Sequence, residues 1–316
     1  MYDLIIIGGG VAAFSAALYA GRFRLKTLVV GEKLGGTLIL TDDIGNYPGF
    51  KKTTGMELFD RIKDHAKDYE IEILERRAER VEKQAGCFEV FTKDKTYKTK
   101  TIIFATGTKL RRLNVPGEKE FAGRGVHYCA LCDGVLYKDK IIGVAGGSDS
   151  AAKEALLLAE YGKKVYIIYR REKIRAEPVN AERIEQNKKI EIINNTNITE
   201  IKGDTFVNGV VLDKPYKGSK ELKLDALFVE VGHIPTSDLA RSIGVETNKR
   251  SEIVINRDSQ TTVRGVFACG DVVDSKFKQA ITGAAEGVVA AHSAYQYLAD
   301  QTTACDSNVD REDVAS

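Results

Sequence analysis

Two stretches of the chain repeat one layout of strand, glycine turn, helix and strand, and each is followed at the same distance by charges of opposite sign. In the first, YDLIII precedes the turn Gly8-Gly9-Gly10-Val11-Ala12-Ala13. That turn opens the apolar stretch VAAFSAALYAG and leads to a second run, KTLVV. In the second, KIIGVA precedes Gly146-Gly147-Ser148-Asp149-Ser150-Ala151, followed by SAAKEALLLAEYG and KKVYIIY. Glu32 stands 24 positions after Gly8, and Arg170 stands 24 after Gly146, with Arg171 beside it and Arg175 five positions past Arg170.

A strand that enters a helix through such a turn is the βαβ unit that binds a dinucleotide. Gly8 permits the tight turn, Gly10 lets the backbone approach a pyrophosphate, and Ala13 lets the helix pack close to the sheet. The helix N-terminus then offers free N–H groups and the positive end of its dipole. An acid just past the second strand accepts from a ribose hydroxyl, whereas a pair of arginines grips a 2′-phosphate. The first unit therefore suits an adenine dinucleotide without that phosphate, and the second suits NADP. In the second, Gly146, Ser148, Ser150, Ala151, Arg170, Arg171 and Arg175 are the candidate contacts. Ser148 sits where the close-approach glycine belongs: its Cβ holds the backbone away from a pyrophosphate, or its hydroxyl bonds a phosphate. The fold class that follows is α/β, with two Rossmann-like dinucleotide-binding domains.

Length agrees, since 316 residues are about two domains. A net charge of +2 gives no electrostatic case for nucleic acid or an anionic membrane. Leu4 to Gly21 carries no charge and approaches the length of a membrane span, but Asp3 precedes it and three glycines interrupt it, so a strand, turn and buried helix explain it better. Residues 301–316 are polar without apolar periodicity and are expected to form a disordered tail.

The five cysteines are Cys87, Cys129, Cys132, Cys269 and Cys305, too few and too scattered for a disulfide framework. A reducing, cytoplasmic location is expected. Cys129-Ala-Leu-Cys132 then has three readings. A zinc site needs four ligands, and no second CxxC or histidine pair is present. A staple across three residues closes too small a loop to stabilise much. The residues favour the third, a redox-active thiol pair. Cys269 is expected to be a small core residue, Cys87 a strand residue and Cys305 a thiol without a role. His127 is expected to serve packing or lie at the surface, with help in proton transfer as the alternative.

Taken together, GGGVAAFSAALYAGR, GGTL, NYPGF, ATG, CALCDG, YRREKIRAEP, GVFACGDV and KQAITGAAEG resemble the low-molecular-weight thioredoxin reductases, which are flavoprotein disulfide reductases. The resemblance runs from about Tyr2 to Leu298. It implies an FAD domain in two stretches, 1–113 and 237–300, with an NADPH domain at 114–236 that carries the cysteines. Rotation between them would use crossings near Leu113–Gly117 and Gly232–Ser237. It implies an FAD site lined by Gly8, Gly10, Ala13, Glu32, Gly35, Gly36, Thr37, Asn46, Ala105, Thr106, Gly107, Gly270, Asp271, Lys278, Gln279 and Ala280. Electrons would pass from NADPH through FAD to the Cys129–Cys132 disulfide and on to thioredoxin or a glutaredoxin-like protein. Cys132 would face the flavin, Cys129 would attack the substrate disulfide, and Asp133 would shuttle the proton. A homodimer is implied as well.

Four positions depart from the family pattern: CALC replaces CATC, Gly35-Gly36-Thr37 replaces GGQ, Tyr169-Arg170-Arg171 replaces HRR, and Gly146-Gly147-Ser148 replaces three glycines. The last two touch the NADPH site. They keep open a ferredoxin-dependent reductase, or an oxygen-dependent dithiol oxidase, of the same fold. A non-catalytic nucleotide-sensing module is disfavoured by the intact CxxC-Asp.

Overall fold

A computed structural model of the chain describes residues 1–41 and 44–300. Cys305 and the polar tail lie outside the described residues. The chain divides into two compact units, one formed by Met1–Lys109 with the chain from Ile234 onward, the other by Leu110–His233. The sequence-based boundaries were 113/114 and 236/237.

The first unit opens with β1 (Tyr2–Ile7), α1 (Val11–Arg22) and β2 (Thr27–Val30). The inner residues of β1 and all of β2 are buried, as expected of parallel strands covered on both faces. Next comes α2 (Gly55–Lys67), which starts at a capping box: Thr54 accepts from the Glu57 N–H, and Glu57 accepts from the Thr54 N–H. Then follow β3 (Ile71–Leu74), β4 (Arg80–Gln84), β5 (Cys87–Phe91) and β6 (Thr96–Phe104). β7 (Thr108–Leu110) leads out of the unit.

The second unit contains β8 (Val126–His127), α3 (Ala130–Asp133), β9 (Ile141–Gly146), α4 (Asp149–Tyr161) and β10 (Lys164–Ile168). It continues through α5 (Pro178–Gln186), with proline in the first turn where its missing N–H costs nothing, and β11 (Ile190–Ile193). After these come β12 (Ile198–Gly203), β13 (Val207–Tyr216), β14 (Ser219–Lys223) and β15 (Ala226–Glu230). β16 (His233–Pro235) leads back and pairs with β7. The chain then adds α6 (Asp238–Ser242), β17 (Val266–Ala268) and α7 (Ala280–Asp300) to the first unit.

Each unit is built on a mostly parallel sheet. In the first the order is β3-β2-β1-β6-β5-β4, with β17 also on β6. Strands β4, β5 and β6 form an antiparallel meander, and β17 pairs in parallel with β6, placing Phe267 opposite Ile103. In the second the order is β11-β10-β9-β15-β8, and β12, β13 and β14 form a separate antiparallel sheet. Neither β4 nor the β12–β14 sheet was expected from the sequence. No helix among the described residues is long and apolar enough to cross a membrane, and the Leu4–Gly21 stretch is β1, the turn and most of α1.

Helix α1 owes its place to small residues. A side chain on Gly287 of α7 would meet the Ala12 carbonyl at 2.3 Å, so the two helices meet backbone to backbone. Alanines 12, 13, 16, 17 and 20 and Phe14 of α1 are buried in the same core as Cys269, Ala290, Ala291 and Ala294.

Candidate functional site

The first turn is tight where a side chain would do harm and open where a ligand needs room. Gly8 has φ +145°, and a Cβ there would stand 2.1 Å from the Ala105 carbonyl oxygen. Gly10 meets nothing closer than the Gly36 Cα at 4.0 Å. Gly36, at φ +58°, faces Gly10 in turn, and the Gly35 N–H donates to the Gly9 carbonyl. Gly10 is the N-cap of α1 and supplies no side-chain acceptor, so the first-turn N–H groups stay available. Ala13 is fully buried, which lets α1 lie close to the sheet. Glu32 is exposed just past β2, with only a loose 3.9 Å approach from Arg77, and Thr37 is exposed. This cradle fits a dinucleotide pyrophosphate.

The remaining candidates of this unit gather from separated stretches. Asn46 donates to Gln279 at 3.1 Å, and the Thr106 hydroxyl donates to the Thr236 carbonyl at 2.6 Å. Gly107 turns the chain at φ +58° and accepts from the Thr236 N–H. Lys278 donates to Glu252 at 2.6 Å and to the Asp271 carbonyl at 2.9 Å, so its ammonium serves the loop around it. The Glu252 carboxyl is held below the usual range by Asn248 and Lys278, against the opposing effect of burial. Ala280 begins α7. Sequence reasoning missed Glu286 of this helix: it accepts from the Gly270 N–H at 2.8 Å and from the Ser275 hydroxyl, and so fixes the Gly270–Asp271 turn. A carboxylate on a helix interior gives no motif signal. Cys269 is fully buried, and burial pushes its thiol far up, so it is an inert core residue.

The second turn repeats the geometry with one change. Gly146, at φ +157°, abuts the Glu230 carbonyl, and Ala151 is buried under the turn. Ser148 N-caps α4: its hydroxyl accepts from the Ala151 N–H at 3.5 Å, and so occupies a donor that the first turn leaves open. Ser150 is exposed. The segment after β10 returns to the turn, where the Arg175 N–H donates to the Gly147 carbonyl at 2.7 Å. Asp149 secures it by accepting from the Glu177 N–H and the Asn180 amide, bonds that with Lys153 lower its pKa against the opposing effect of burial. Arg170, Arg171 and Arg175 are exposed, and no protein acceptor among the described residues engages their guanidiniums. Tyr169 lies buried against Gly147, and its hydroxyl has no partner among the described residues.

Cys129 and Cys132 form a disulfide across the first turn of α3. The Cys132 N–H points at Cys129 Sγ, 3.2 Å away, which favours the thiolate on Cys129 when the bond opens. Cys129 is half-buried and Cys132 exposed. Both ends of the segment are tethered. The Ala130 N–H donates to Glu154 of α4 at 2.9 Å, and Asp133 pairs with the buried His127 at 2.9 Å. Burial raises the Glu154 carboxyl to about 7 and that of Glu230 to about 8, with Glu154 adding to the rise at Glu230. Val135 and Leu136, directly after the disulfide segment, are exposed apolar side chains. No group of three or more potential metal ligands occurs among the described residues.

Residues 2–287 match the pyridine nucleotide-disulphide oxidoreductase family. The chain is 40% identical over 306 residues to the thioredoxin reductase of Mycolicibacterium smegmatis, which covers 95% of this chain and 98% of that protein. Its structure is similar to that of the thioredoxin reductase of Lactococcus lactis, with a TM-score of 0.92 and 34% identity over 95% of this chain and 100% of that one. It is also similar to the thioredoxin reductase of T. acidophilum, with a TM-score of 0.88 and 36% identity over 93% and 98% of the two chains. With paired dinucleotide turns and a CxxC disulfide between them in sequence, the chain belongs to the pyridine nucleotide-disulphide oxidoreductases and, within them, to the thioredoxin reductase group.

Proposed function

We propose that the chain is a thioredoxin-disulfide reductase that draws electrons from NADPH. The observation that carries this reading is the Cys129–Cys132 disulfide held between Glu154 and His127 in the unit that presents three exposed arginines, unpaired among the described residues, beside a dinucleotide turn. FAD belongs at the first turn, on Gly8, Gly10, Gly36 and Glu32, with Asn46, Asp271 and Gln279 from the separated stretches. NADPH belongs at the second, with Arg170, Arg171 and Arg175 on its 2′-phosphate. Bound FAD supplies a two-electron carrier between a hydride donor and a disulfide.

The thiol pair does the rest. Cys129 loses its proton to Asp133 and attacks one sulfur of the partner disulfide; a mixed disulfide forms as the partner's bond breaks. Asp133 returns the proton to the departing partner sulfur. Cys132 then attacks Cys129, which restores the chain's disulfide and releases the partner as a dithiol. The N–H aimed at Cys129 Sγ supports this order, whereas the greater exposure of Cys132 argues for the reverse. A mixed disulfide trapped with thioredoxin by Cys132→Ser and not by Cys129→Ser would support the order given; the opposite result would reverse it. Exposed Val135 and Leu136 supply apolar surface for a protein substrate beside the sulfurs.

The reading includes a cytoplasmic homodimer, by likeness to the family. The donor is tested by anaerobic titration, watching the flavin absorbance bleach. NADPH should bleach it and NADH should do so poorly. If neither does and reduced ferredoxin succeeds, the NADPH assignment falls, and Ser148 capping the second turn becomes its structural reason.

A further inference from the structure

His127 ends β8 two residues before Cys129 and is 6% exposed. Its Nδ1 lies 2.9 Å from Asp133 Oδ2, and its Nε2 lies 2.8 Å from the Tyr137 hydroxyl. The ring stacks on Phe228 with centroids 5.3 Å apart, and the backbones of the two residues are paired across β8 and β15. Both ring nitrogens are therefore taken, by Asp133, which directly follows Cys132, and by Tyr137, four residues further on. For a neutral imidazole the partners select one tautomer. The Tyr137 O–H donates to Nε2, and the Nδ1–H donates to the Asp133 carboxylate. Asp133 Oδ1 has no protein donor among the described residues.

We infer that His127 is a positioning residue for thiol–disulfide exchange, holding Asp133 by one oxygen so that the other takes and returns the thiol proton. The inference rests on the exchange chemistry proposed above. The proton that leaves the Cys129 thiol as the new S–S bond forms is stored on Asp133, and it goes to the partner sulfur as the old bond breaks. The second attack, by Cys132, passes the second thiol proton by the same route. The chain's dithiol is oxidised, the partner disulfide is reduced, and two protons move with two electrons. Tyr137 takes part by fixing the tautomer. Without its O–H the imidazole can place its proton on Nε2 and turn a lone pair towards the carboxylate. Packing alone would not need Tyr137 and Asp133 at opposite nitrogens of one buried ring.

The test uses the full FAD-loaded chain but bypasses the nucleotide. The protein is reduced with a small dithiol, freed of it, and mixed with oxidised thioredoxin in a single turnover. The appearance of thioredoxin thiols is followed by rapid quenching. General acid–base assistance is typically worth about a hundredfold or more, so His127→Leu should slow transfer by about tenfold or more. His127→Asn, whose amide N–H can still donate to Asp133, should recover most of the rate. Tyr137→Phe should fall between the two, and it decides the matter if the leucine variant does not fold. Equal rates in His127→Leu and wild type, or equal slowing in the leucine and asparagine variants, would overturn the inference. If the wild type fails to reduce thioredoxin, the proposed function falls, while the same variants compared on a small aromatic disulfide still decide the role of His127.

Discussion

The two glycine turns have the same backbone and leave different things open. In the first, Gly10 adds no side chain, and the N–H groups of α1 face the space beside Gly36. In the second, Ser148 has already bonded the Ala151 N–H. The charges past the second strand also differ, an exposed Glu32 against three exposed arginines. So do the strands that close each turn: Gly8 packs on Ala105, and Gly146 packs on Glu230. One scaffold thus offers an open turn with free backbone N–H groups and, in the proposed reading, a partly capped turn whose ligand would be held by arginine. The first arrangement suits a resident cofactor and the second an exchangeable one.

The comparison breaks most visibly at Gly10. A Cβ there meets no protein atom closer than 4.0 Å, and its extended backbone suits any residue, so Gly10→Val should fold. The methyl groups would fill the space that a pyrophosphate needs. Purified Gly10→Val should be colourless or nearly so, with an unchanged circular dichroism spectrum. Full FAD content in that variant would remove the first turn from the cofactor site.

Next in size is the arginine effect. A charge-assisted hydrogen bond is worth about 1.5–3 kcal/mol, or roughly ten- to a hundredfold in affinity. Arg170→Ala/Arg171→Ala should lower kcat/KM for NADPH by at least that factor and leave NADH unchanged. Equal losses for both nucleotides would mean that the arginines do not read the 2′-phosphate.

A smaller change is expected from Ser148→Gly. Removing the serine cap in favour of glycine costs only a few tenths of a kcal/mol in helix stability. The freed Ala151 N–H and the lost Cβ should improve both nucleotides alike, by a few-fold, because both share the pyrophosphate. An improvement confined to one nucleotide would show that Ser148 acts elsewhere than on that shared group.

The turns, their flanking strands and helices, and the CxxC were legible because each is a local pattern: an apolar run, glycines at fixed offsets, a charge at a fixed distance. Elements without such a pattern were not. In the β12–β14 sheet the apolar run Val210-Val211-Leu212 is short and follows a glycine, β14 is mostly exposed, and β4 reads RVEKQ with one buried residue, so none carries a strand signal of useful length. His127 read as a packing or surface residue; its burial and stacking on Phe228 agree with packing and not with the surface. Its bond to Asp133 depends on how β8 and α3 come together, which spacing does not encode. Glu286 and Glu154 escaped for the same reason, since each sits on a helix and serves a backbone N–H far away in sequence.

The smallest effect isolates the last difference between the turns, Ala105 against Glu230. Glu230 ends β15 buried, and desolvation with the nearby Glu154 raises its carboxyl to about 8. A carboxyl whose pKa is raised by folding binds its proton more tightly in the folded state than in the unfolded one. Stability is therefore unaffected below the unfolded value near 4.5, falls as pH rises towards 8, and levels off above it. Glutamine keeps the shape and the neutral charge. Glu230→Gln should melt with the wild type near pH 4.5 and above it at pH 8.5, with the gap opening between those two values. The corresponding substitution at Glu154 keeps an acceptor for the Ala130 N–H and should show the same trend, less steeply, because that bond favours the ionised form there. Parallel melting of Glu230→Gln and wild type at both pH values would mean that Glu230 reaches solvent as a carboxylate, and the two turns would then differ only in Ser148 and in the charges beyond β2 and β10.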